Sequence, residues 1–66
     1  MKKKELKQLA SKIAKCEYII QTSSDKSAIR RAQDDILTLS GQVDRLEDMV
    51  IIDEYIQGIL ADLLDK

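Results

Sequence analysis

The chain has 66 residues, of which 35% are charged, with a formal net charge of −1, two glycines, one cysteine, and neither proline nor histidine. A lone cysteine excludes an intrachain disulfide, and a thiol without histidine is not a zinc-binding set. A chain this short buries only roughly 60% of the surface it exposes when unfolded, so stability has to come from regular helix packing or from a second chain.

No apolar run approaches the ~20 residues of a membrane span. The start, MKKKELKQLASK, is basic but leads into no apolar stretch, which weighs against a secretory signal. With a single cysteine this points to the cytoplasm. The near-zero charge hides an asymmetry. Residues 1–31 hold nine Lys/Arg and three Asp/Glu, a net +6, and residues 32–66 hold two and nine, a net −7. A basic half and an acidic half favour contact between them, within a chain or between chains.

The first predicted element covers about residues 3–21. Leu6, Leu9, Ile13, Cys16 and Ile20 recur at alternating spacings of three and four, the signature of one buried helix face. Residues 22–25 follow as a turn, within a stretch rich in capping residues. Thr22 with Asp25 fits a capping box, and Ser24 or Asp25 fits an N-cap.

The second predicted helix covers about residues 25–64. Ile29, Ala32, Ile36, Leu39, Val43, Leu46 and Val50 keep one phase across Ser40 and Gly41. With Ile36 and Leu39 in the seam, Gly41 takes the most exposed heptad position, where glycine costs about 1 kcal/mol against alanine. The expectation is therefore a helix that runs through Gly41. Laid antiparallel, the two stripes pair Leu6 with Leu39, Leu9 with Ile36, Ile13 with Ala32 and Cys16 with Ile29. That register also sets Lys12 near Asp35 and Glu17 near Lys26. A register one heptad away aligns apolar residues too, with fewer charge matches.

Such a hairpin leaves Val43, Leu46, Met49, Val50, Ile52, Ile56, Ile59, Leu60, Leu63 and Leu64 beyond the reach of the first helix. A contiguous apolar patch of this size marks an interaction site. Asp53 falls inside the apolar arc, where an unpaired carboxylate is costly. It is expected either as an interface carboxylate or as the N-cap of a third helix beginning near residue 54, with a kink or break at 51–54.

Nothing here assembles an active site. There is no phosphate-binding glycine loop, the carboxylate pairs are sequence neighbours that diverge on a helix, and Arg30 and Arg31 fall on the outer face. Cys16 belongs to the seam rather than to an electropositive reactive setting. The N-terminal lysines lack the interleaved aromatics of a base-stacking surface, which weighs against nucleic acid. Tyr55 sits on the shoulder of the C-terminal arc, as an interface rim residue does. The fold expected is all-α: an antiparallel helical hairpin with a long second helix, associating into a four-helix-bundle or coiled-coil-like oligomer, with a three-helix bundle as the alternative. The function expected is a non-enzymatic protein–protein interaction module. It has no cofactor, metal, membrane or small-molecule substrate. Its partner is a second copy in a homodimer, then a tetramer, then a different protein as in a small regulator or adaptor; a nucleic-acid accessory role comes third.

Overall fold

The structure, a computed structural model, describes residues 2–65 and is all-helical. Three helices run in chain order: α1 (Lys3–Thr22), α2 (Lys26–Ser40) and α3 (Leu46–Leu64). Glu5 lies in the first turn of α1, where a carboxylate is favoured by the helix dipole. At the other end the Thr22 hydroxyl donates to the Tyr18 carbonyl at 2.7 Å and the Ser23 amide donates to the Ile19 carbonyl at 2.8 Å. Asp25 is the N-cap of α2, its carboxylate accepting from the Ser27 amide at 2.9 Å.

The expected continuous helix over 25–64 is broken. Helix α2 ends at Ser40, with the Gly41 amide donating to the Leu37 carbonyl, and two further tight turns follow, Gln42 to Leu39 and Val43 to Ser40, each at 3.1 Å. Arg45 is extended (φ −104°, ψ 134°), and α3 begins at Leu46. The break therefore lies at residues 41–45. Residues 51–54 are inside α3, so no helix starts near 54 and Asp53 caps nothing. The energetics explain the outcome. A straight helix would leave Ile52 and Ile56 beyond the end of α1, and each large aliphatic side chain removed from water contributes about 1.5–3 kcal/mol. The few backbone hydrogen bonds given up at an exposed turn are worth about 0.5–1.5 kcal/mol each and are partly replaced by water.

Helix α1 is the middle element. It packs against both α2 and α3, which do not pack against each other. The resulting slab measures 34 × 25 × 15 Å. Its core joins Leu6, Leu9, Ala10, Ile13 and Ala14 of α1 to Ile52 and Ile56 of α3, and Ile36, Leu39, Val43, Tyr55 and Ile59 pack around them. Ala10 and Ala14 are fully buried, as is Ile52. Small residues on that flank of α1 let α3 approach closely while its isoleucines fill the space.

The pairing of α1 with α2 also departs from the preferred register. Cys16 shares a groove with Asp35, Thr38 and Leu39, and Leu9 shares another with Gln42. Cys16 opposite Ile29 would hold it about 15 Å along the axis from Leu39. The observed neighbours fit the register one heptad away, which sets Leu9 near Val43 and Cys16 near Ile36. Ala32 agrees, being buried yet outside the central cluster. Exposed charge matches such as Glu17 with Lys26 contribute ~0–1 kcal/mol each, too little to outweigh the burial of Val43 at the corner.

Candidate protein-interaction surface on α3

Helix α3 carries two apolar stripes in heptad spacing. The first is Met49, Ile52, Ile56, Ile59 and Leu63. Ile52 and Ile56 are buried in the core, Ile59 packs on it, and Met49 and Leu63 are half-buried. The second is displaced by about 100–120° around the helix and comprises Leu46, Val50, Asp53, Gln57, Leu60 and Leu64. It faces water: Leu46 is 82% exposed, Val50 54% and Leu64 48%, while Leu60 is half-buried at its edge.

The residues expected as one partner surface thus divide. Ile52, Ile56, Ile59 and Val43 are consumed within the chain, so they are not an outer interface. Leu46, Val50, Leu60 and Leu64 form the outward stripe, with Met49 and Leu63 along the border between the two. Asp53 is exposed and in the outward stripe, because α3 turns Ile52, Ile56 and Ile59, rather than its whole apolar arc, towards α1. The expected α1–α2 seam residues divide as well. Leu6, Leu9, Ile13 and Ala32 are buried, while Cys16, Ile20, Ile29, Ile36 and Leu39 are half-buried.

Three residues went unnoticed in the sequence. Ala10 and Ala14 were obscured by the leucine and isoleucine stripe beside them, although their spacing of four on its flank is the signal of a second close neighbour. Leu37, 74% exposed on α2, stands alone on that helix as an outward large apolar residue.

The charges carried by α3 itself are of one sign. Helix α3 holds Glu47, Asp48, Asp53, Glu54 and Asp62 and no Lys or Arg, whereas α1 holds five lysines and two glutamates. The acidic helix therefore lies on the basic one, a long-range attraction that favours this pairing.

Cys16 lies in an open groove of about 370 Å³ lined by Lys12, Lys15, Asp35, Thr38 and Leu39. Burial pushes its thiol above the ordinary value and the Asp35 carboxylate adds to the effect. A thiol held in its protonated form is a poor nucleophile. Among the described residues no group of three or more His, Cys, Asp or Glu side chains is arranged to hold a metal ion, and no helix is long and apolar enough to cross a membrane.

Fold and surface together define an all-α protein with α1 as its middle helix and an outward apolar stripe on α3. No protein-family model, curated protein or solved structure matches the chain.

Proposed function

We propose that this chain is a non-enzymatic helical interaction module that self-associates through the outward stripe of α3 in a structural or assembly role. The observation that carries the reading is the row Leu46, Val50, Leu60 and Leu64, most of it in water on a helix whose other face is already satisfied. A domain with so few buried residues gains more from covering such a row than a larger one does. Two copies meeting along α3 make a helical dimer, and exposed Leu37 on α2 offers a second contact for a tetramer.

Light scattering over a concentration series tests this directly. The unaltered chain is expected as a dimer or tetramer down to low micromolar. Leu46→Asp combined with Val50→Asp is expected to give a monomer of unchanged helicity. A folded monomer for the unaltered chain removes the reading.

A second reading is favoured by the charge of α3. An apolar row flanked by Glu47 and Glu54 suits a basic amphipathic helix of a different protein, as a regulator or adaptor would present. Titration with a Lys-rich amphipathic peptide separates the two. Saturable binding to a monomeric chain, weakened at high salt, supports the adaptor.

A further inference from the structure

The outward stripe of α3 has nearly the same chemistry read from either end: Leu46, Val50 and Asp53, then Gln57, Leu60 and Leu64. We propose that α3 pairs with α3 of a second copy in antiparallel sense, about a twofold axis passing between Asp53 and Gln57. This rests on the self-association reading and specifies its geometry. Leu46 then meets the partner's Leu64, Val50 meets the partner's Leu60, and Asp53 meets the partner's Gln57. Each contact occurs twice, as a twofold interface requires. Along the α1 side of the seam, half-buried Met49 meets the partner's Leu63 and widens the apolar strip.

The two polar residues decide both direction and register. In a parallel, in-register pair Asp53 faces its own copy, setting two carboxylates together in a partly dry seam. Antiparallel pairing instead gives each carboxylate an amide donor, and two such hydrogen bonds close the centre. Sliding the helices by one heptad in either direction sets Asp53 against a leucine or a valine and leaves it without a partner, at a cost. A polar pair within an apolar seam is a known device for fixing register. The opposed helix dipoles also favour the antiparallel sense. Charge opposes it: α3 carries five carboxylates and no Lys or Arg, and Glu54 lies beside the axis and faces its own copy. That pair is exposed, so salt screens it, and the affinity is expected to rise with ionic strength.

Cross-linking reads the geometry. In a Cys16→Ala background, Val50→Cys and Leu60→Cys are prepared as separate proteins, checked for unchanged helicity, and oxidised with diamide alone and mixed. In the antiparallel pair like positions lie about 15 Å apart, beyond the ~7 Å limit between α-carbons that a disulfide spans. Mixing is therefore expected to raise the disulfide-linked dimer at least tenfold over either variant alone. Leu46→Cys with Leu64→Cys, both at exposed positions, repeats the test without touching the half-buried Leu60. Self-linking of each variant as readily as of the mixture overturns the proposal in favour of parallel pairing. Absence of linking in samples with a dimeric mass also overturns it and moves self-association to another face. A monomeric mass throughout overturns the self-association reading along with the geometry.

Discussion

At the scale of single residues, the one thiol is held quiet. Cys16 has burial and a neighbouring carboxylate acting in the same direction, both disfavouring the thiolate. Because the folded value is raised, the thiol's contribution to stability is fully present below its ordinary titration range and is lost as pH rises through the raised value. Alkylation of Cys16 by iodoacetamide near pH 8 is expected to be several-fold slower in the folded chain than in urea. Equal rates would show that neither Asp35 nor burial restrains it. Asp53 illustrates how much direction matters for a single side chain. Treated as part of one broad apolar arc it looks like a buried liability, yet it stands in water on the outward stripe.

At the scale of elements, the three helices are closed by unequal devices. Helix α2 has a side-chain cap at Asp25, while α1 and α3 begin at Lys2 and Arg45 without one and rely on acidic first turns. The turn after α2 is made without left-handed backbone: Gly41 has φ −65° and ψ −13°, which any residue adopts. A glycine there marks the end of the helix through its weak helix propensity. Gly58 is different, lying within α3 with open space where a Cβ would stand and away from the outward stripe. Gly58→Ala is therefore expected to stabilise the fold by roughly 0.5–1 kcal/mol without altering the proposed dimer. Urea unfolding and light scattering on the same sample check both parts.

At the scale of the whole molecule, α1 carries the fold, because α2 and α3 each depend on it and not on each other. One face of α3 lies in the core and the other in water, so substitutions on the two should separate stability from the proposed association. Ile52→Ala removes a fully buried side chain and is expected to cost about 2–5 kcal/mol, a large fraction of what a domain this size possesses. Ile56→Asp belongs with it as a test of folding. Val50→Asp, on the outward stripe, is expected to leave the unfolding free energy of the dilute protein unchanged within about 0.5 kcal/mol while shifting the mass towards the monomer. If Ile52→Ala left stability unchanged, α3 would not be docked on α1 as described.

The amino-acid sequence by itself determined that this chain is helical, where α1 lies, a turn near residues 22–25 with Asp25 among its candidate caps, and the surplus of apolar residues in the C-terminal third. These depend on local spacing and composition, which act within one helical turn or two. It did not reveal the break at residues 41–45. A heptad count passes unaltered through a few non-helical residues, and Leu46 and Val50 keep the phase of Leu39 and Val43 while facing water. The one-heptad choice of register was equally hidden, since apolar residues repeat on that same interval. Only the tertiary structure decided which of the two apolar stripes of α3 is buried. The reason is that burying Ile52 and Ile56 against Ala10 and Ala14 yields more than continuing one exposed helix, and that balance depends on residues about forty positions apart in the chain.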